Sequence, residues 1–161
     1  MAGAERAQLN GFLDWQRATA VWKCSGLTDE QARRAVLPSK LTTIAGLLNH
    51  LRWTEHYWFG VVVDGRPDPL LAAFQEDPDV EFKQGLEIPL PELLADYEAQ
   101  CQVSRDIVAA RELDEVVDLP AHDSRGHASV RWVMLHMIEE TARHAGHLDV
   151  VRELIDGLTG Q

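Results

Sequence analysis

Cysteine is scarce in this chain. The two thiols, Cys24 and Cys101, lie far apart and form no CxxC motif. That excludes a disulfide framework and a cysteine-built zinc site, and fits a reducing, cytoplasmic setting. Long apolar runs are missing too: none approaches the roughly 20 residues of a membrane span. The first residues, MAGAERAQLNGF, hold no basic region followed by an apolar core, so no secretory signal is expected. Positive charge is in deficit, with 15 Lys and Arg against 26 Asp and Glu and a formal net charge of -11. An acidic surface repels phosphate backbones and anionic lipid, so neither nucleic acid nor membrane is expected as a partner. There is no HExxH motif, which argues against a metalloprotease, and no pair of ExxH motifs, which argues against a ferritin-like di-iron site. Internal repeats and low-complexity tracts are absent.

Hydrophobic residues, at 45% of 161 positions, suffice for one sizeable core, and residues 1–161 read as a single domain. The patterning is helical. Phe12, Trp15, Thr19 and Trp22 follow helical spacing over about 4–24. Thr28 and Gln31 make a capping-box pattern for a short helix. A second long helix starts at Thr42 or Thr43, a plausible N-cap, and carries the apolar stripe Ile44, Leu47, Leu48, Leu51, Trp58, Val61 and Val62 to about Val63. Residues 65–88 hold Pro67, Pro69 and Pro78 and many acids, which argues for an irregular loop that either covers something functional or is mobile. Pro91 suits the first turn of a third long helix ending near Arg111. Residues 116–129 are a connection carrying His122 and His127, both expected to be exposed. Ser129 caps a final helix from Val130 to about Ile155, closed by Gly157. Strand signals are weak, so the expected fold is an all-α four-helix bundle with a short extra helix and long loops.

The chemistry concentrates in the last helix, HMIEETARHAGHLDVVRELI from His136 to Ile155. At about 100° per residue, His136, Glu140, His144 and His147 fall within roughly 80° of one another. They stand beside an apolar surface that should be buried, which is costly unless something satisfies them. Glu140 and His144, four apart, can reach one ion from the same face, and His147 can take or share a further position. His50, on the flank of the second helix's stripe, is the best candidate from a facing helix. Three His and carboxylate donors with an open position are how catalytic zinc is held, and the same donors suit nickel, iron or manganese. Against this, a Glu/His pair at i, i+4 is common on solvated helix faces. His136 reads as either a ligand-orienting neighbour or a core histidine. Trp53, Tyr57, Trp58 and Trp132 read as core or as the lining of a pocket, and Glu55 and His56 as its rim or as polar flank. Asp149 and Arg152 read as a surface ion pair. Arg131, Arg143 and Arg152 are candidates for gripping a carboxylate on a cofactor, and the cysteines read as buried small hydrophobes.

The segments LLNHLRWTEHYWFG (Leu47 to Gly60) and HMIEETARHAGHLDVVRE (His136 to Glu153), with the overall length and helix order, resemble the DinB-like metal-binding four-helix bundles. The likeness is greatest to a branch related to the mycothiol-dependent maleylpyruvate isomerases and bacillithiol transferases. It implies the up-down-down-up helix order of such bundles and a divalent metal held by His50 together with Glu140 and His144. His147 stands where many members carry Gln or His and departs from the strict pattern, so it is an alternate ligand or proton carrier. The resemblance further implies a low-molecular-weight thiol such as mycothiol, reacting with a small electrophile by S-transfer or by isomerisation through addition and elimination. His147 or Glu55 would then carry protons. The alternative is a non-enzymatic bundle that senses or binds a metal or thiol. The Trp-rich helices offer a face for a homodimer.

Overall fold

The structure is a computed structural model that describes residues 3–120 and 124–160; the expectation for His122 lies outside the described residues. Four long helical segments carry the fold: α1 (Glu5–Cys24), α3 (Ile44–Glu55) with its continuation His56–Val63, α6 (Leu90–Ala109) and α7 (Val130–Asp156). Short helices α2 (Asp29–Arg33), α4 (Leu71–Glu76) and α5 (Val80–Gly85) decorate the connections, and a small hairpin pairs β1 (Val116–Asp118) with β2 (His127–Ser129).

The helix starts lie where local chemistry puts them. The Thr28 hydroxyl accepts from the Gln31 amide while the Gln31 side chain accepts from the Thr28 amide, so the capping box forms. Thr43 and Ser129 accept from the amides of Gly46 and Trp132 at the starts of α3 and α7. Gly157, at φ 79°, ends α7 in the left-handed conformation that only glycine adopts freely.

Two layers of core set the helix directions. One holds Leu13, Phe59, Val62, Ile107, Val133 and Met137; the other holds Ala20, Ile44, Leu48, Leu93, Leu148 and Val151. Running from one layer to the other, α1 and α7 point one way and α3 and α6 the opposite way. The order is therefore up, down, down, up, as the family resemblance implies. Parallel neighbours need long connections; residues 64–89 join α3 to α6. Among the described residues no helix is long and apolar enough to cross a membrane. Phe12 and Trp15 of α1 remain exposed.

Three details depart from expectation. The second long helix changes pitch: His56–Val63 is π-helical, so its residues turn by less than an α-helix would turn them. The region read as an irregular loop holds α4 and α5, because Pro67, Pro69 and Pro78 punctuate it without preventing single helical turns. Asp149 and Arg152 are not a surface pair. Arg152 is buried and donates to the carbonyls of Lys23 and Ser25 at 2.9 and 2.7 Å, closing the end of α1, while its partner acid is Asp156 and Asp149 pairs with Lys23.

Candidate metal centre

α3 and α7 pack side by side, and their facing edges bring together His50, Glu140 and His144. His50 Nε2 lies 3.1 Å from both Glu140 Oε1 and His144 Nε2, and His144 Nε2 lies 3.1 Å from Glu140 Oε1. Three donor atoms thus form a nearly equilateral triangle. Donors bound at about 2.1 Å to a common tetrahedral or octahedral ion stand roughly 3.0–3.4 Å apart. The donor set fits a divalent ion in spacing and in type, with two imidazole nitrogens and one carboxylate oxygen. All three side chains are largely withdrawn from solvent, at 15%, 12% and 13% exposure.

A fourth side chain completes the arrangement. Glu81 of α5 places Oε1 2.8 Å from His50 Nδ1. When His50 is neutral, its one ring proton goes to Glu81, which turns the Nε2 lone pair toward Glu140 and His144. A carboxylate behind a ligating imidazole fixes tautomer and ring orientation in this way. Phe82 stacks on the same ring, with centroids 4.7 Å apart and planes 11° apart. The close approach of α5 to α3 depends on Gly85. A Cβ there would lie 2.5 Å from the Ala45 carbonyl oxygen, so any side chain would push Glu81 and Phe82 away from His50.

Without an ion, lone pairs facing one another need a proton. Burial works against charging His50, but its hydrogen bonds to Glu140 and Glu81 outweigh that and push its pKa up to about 9. The Glu140 carboxyl is held far below the ordinary carboxylate range, chiefly by its hydrogen bonds from His144 and His50. A pocket that stabilises positive charge against a carboxylate in this way will also stabilise a cation.

His147 does not join the triangle. Its Nδ1 lies 3.3 Å from Nδ1 of His144, on the nitrogen remote from Glu140, and its ring is exposed. Desolvation and the neighbouring His144 keep its pKa below the usual value.

With that geometry in place, comparisons with known proteins bear on it. The sequence model of the mycothiol S-transferases matches residues 8–157. The chain belongs to the mycothiol S-transferase family. No curated protein matches it. Among solved structures, a conserved protein from Enterococcus faecalis is similar over 98% of this chain and 100% of its own, with a TM-score of 0.74 at 12% identity. At that identity the likeness speaks for the fold alone; the family model is what places the chain in the DinB-like superfamily.

In this family member the remaining candidates divide clearly. Glu55 is fully buried, and both its oxygens accept from Arg17, at 2.8 Å from Nε and 2.7 Å from Nη2. It ties α3 to α1 and neither rims the cavity nor is free to move a proton. His136 is half-buried, packed between Trp132, stacked at 5.2 Å, and Trp58, edge-on at 4.6 Å, and desolvation lowers its pKa. His127 is exposed, as expected, with Asp118 at 2.8 Å. Arg131 is engaged by Glu5 and Asp114. Arg143 is paired with Glu139 and stands 3.7 Å from Glu140. Cys24 and Cys101 are buried, and desolvation pushes both thiols up to about 12, so neither supplies a ready thiolate.

Beside the triangle opens a cavity of about 280 Å³, reached by His50, Glu140 and Glu81 and by Trp53, Tyr57 and Trp58. Glu81, Phe82 and the α4 side of this cavity escape a reading of the sequence. They sit in a proline-punctuated stretch without helical period, and no spacing rule links Glu81 to a histidine in a different helix. The one local signal is Asp77 before Pro78, a turn pattern that can precede a helix.

Proposed function

We propose that this protein binds one divalent metal ion through His50, Glu140 and His144 and transfers the sulfur of a low-molecular-weight thiol, mycothiol by its family, to a small electrophile. The observation that carries the metal reading is the 3.1 Å triangle of two imidazoles and one carboxylate, backed by Glu81 on His50. Zinc is the first choice for such donors, with nickel, iron and manganese as competitors. An ion held there supplies a Lewis acid that lowers the pKa of a thiol toward neutrality.

The chain's own residues have narrower tasks. Glu81 fixes the His50 ring so that Nε2 faces inward. Glu140 supplies the negative charge that draws in a cation and leaves a weakly compensated centre suited to a thiol. His147, exposed and 3.3 Å from the outer nitrogen of His144, is placed to take that nitrogen's ring proton and so leave the His144 Nε2 lone pair facing the ion. The aromatic wall beside the triangle excludes water from the reacting sulfur. Residues 1–161 would act as one domain, in the cytoplasm, where such thiols are kept reduced.

Metal content of the purified protein, compared with His50→Ala and His144→Ala, tests the first half. The wild type should hold close to one equivalent and the variants essentially none; full retention in both variants sinks the ligand set. Conjugation of mycothiol to a generic electrophile tests the second half. Turnover that follows metal content supports a transferase, whereas thiol binding with no turnover moves the assignment to a thiol- or metal-sensing bundle.

A further inference from the structure

The outer surface of the bundle is not uniformly polar. α1 and α7 lie side by side, joined near both ends by ion pairs, Glu5 with Arg131 and Lys23 with Asp149. Both pairs span the same sequence separation, so the two helices run parallel and in step. Just outside the edge of α1 that makes these pairs stand Phe12, Trp15, Thr19 and Trp22, within roughly 80° of one another at about 100° per residue. Phe12, Trp15 and Trp22 are 43%, 50% and 37% exposed. On α7, just outside the matching edge, Leu135, Ala142, Gly146 and Val150 share a similar arc of roughly 80°, and Leu135 and Val150 are half exposed. The two stripes adjoin along the seam as one apolar face, turned away from Glu140 and His144, which point toward α3.

Two glycines on this face have no purpose within the chain. Gly11 of α1 and Gly146 of α7 sit in helix interiors, where glycine costs stability relative to alanine. Neither has a positive φ, and a Cβ added at either would meet nothing within 4 Å. Close approach of a helix from outside gives a reason for both. Charge is arranged to match. The arc of α1 that carries the stripe also holds Gln8, Gly11 and Ala18 and no charged residue. Beside the seam, Glu139 pairs with Arg143 as Glu5 and Lys23 pair across it; Glu153 lies beyond the last residue of the α7 stripe. In a chain of formal net charge -11, such a face lowers the repulsion that two acidic copies would otherwise meet.

We propose that this face binds a second copy of the chain about a two-fold axis running along the seam. Such an axis lays α1 of each copy over α7 of the other, pointing the same way and in step. Trp15 and Trp22 of one copy then stand level with the notch that Ala142 and Gly146 form on the other, and Leu135 stands near the level of the Gly11 notch. Knobs and notches share one face, which an isologous contact requires. A face with both halves of the fit and no free charge suits its own copy better than a partner steered by charge. The area agrees. At about 150–250 Å² for a fully open aromatic and less for Leu or Val, the exposed parts of Phe12, Trp15, Trp22, Leu135 and Val150 amount to roughly 500 Å². A standard interface buries about 800 Å² per partner and homodimer interfaces are about 65% apolar, which is again roughly 500 Å². The pairing is independent of what the metal centre does.

Analytical ultracentrifugation of the purified full chain tests it. Interfaces of this size have dissociation constants from micromolar downward, so a species of twice the 18.1 kDa chain mass should dominate at about 50 μM. Trp15→Glu and Gly146→Glu each place a charge in the face and should weaken pairing about 30-fold or more, with circular dichroism and metal content unchanged. The open space around Gly146 lets its substitution leave the single chain folded, so loss of pairing there reads the contact and not unfolding. Phe74→Glu, similarly exposed but beside the metal centre, should leave the dimer intact. A monomeric wild type at about 50 μM overturns the proposal and leaves the face to a different protein. A dimer that survives both face variants, or that dissociates as readily in Phe74→Glu, overturns it as well.

Discussion

Removing the carboxylate behind His50 isolates what the α5 segment contributes to the centre. In Glu81→Ala, His50 loses a partner at 2.8 Å in a setting where the two side chains are only 15% and 14% exposed. A hydrogen bond to a charged group is worth about 1.5–3 kcal/mol. At about 1.4 kcal/mol per factor of ten, metal affinity should fall roughly 10–100-fold, because the ring is then free to turn and to adopt the other tautomer. Glu81→Gln keeps an acceptor without the charge. Charge-assisted bonds are roughly twice as strong as neutral ones, so the loss should be about half in free energy, or roughly 3–10-fold. Competition with a chelator of known zinc affinity at fixed pH reads both numbers, with circular dichroism to check folding. An affinity for Glu81→Ala within a factor of about two of wild type, alongside complete loss in His50→Ala, would refute the assignment of Glu81 as the orienting group.

Three further outcomes follow from the same geometry. Glu55→Ala leaves the buried Arg17 only Asp14, at 3.0 Å, as a partner and should destabilise the fold by up to about 3 kcal/mol in denaturant unfolding, whereas Arg17→Met with Glu55→Leu should recover most of it; equal loss in single and double variants would count against an undercompensated charge as the cause. In the metal-free protein, His50 has a pKa raised from 6.5 to about 9. Its contribution to stability is complete below pH 6.5 and is lost as pH rises toward 9, while that of Glu140, whose pKa is lowered from 4.5, is lost as pH falls into the acid range. The melting temperature of the chelated protein should therefore decline from pH 6.5 to 9 and that of the metal-loaded protein should not; parallel curves would contradict it. Cys24 and Cys101, pushed up to about 12 by burial, should resist thiol reagents at pH 8 until the protein is unfolded, and rapid labelling in the native state would overturn that reading.

Much of the architecture was written in local chemistry. Thr28 with Gln31, Thr43, Ser129 and Gly157 mark helix ends through bonds made within a few residues, so each could be read from the sequence. The apolar periodicity of four long segments leads to a four-helix bundle, while the up-down-down-up order was carried by the family resemblance. The i, i+4 spacing of Glu140 and His144 likewise places both on one helical face, and His50 stood out on the flank of its stripe.

What the sequence could not decide were relations between elements, because these depend on packing over long separations. Whether His147 pointed into the triangle or behind His144 turned on how α7 is rotated against α3. Glu55 looked like a polar flank until Arg17, on another helix, was seen to bury it. Arg152 and Asp149 looked like a helical pair and instead take separate partners on α1. Glu81 reaches His50 only because Gly85 lets α5 lie against α3. The triangle's residue types were legible in the chain; the groups that orient it, and the apolar space beside it, exist only once the helices are packed.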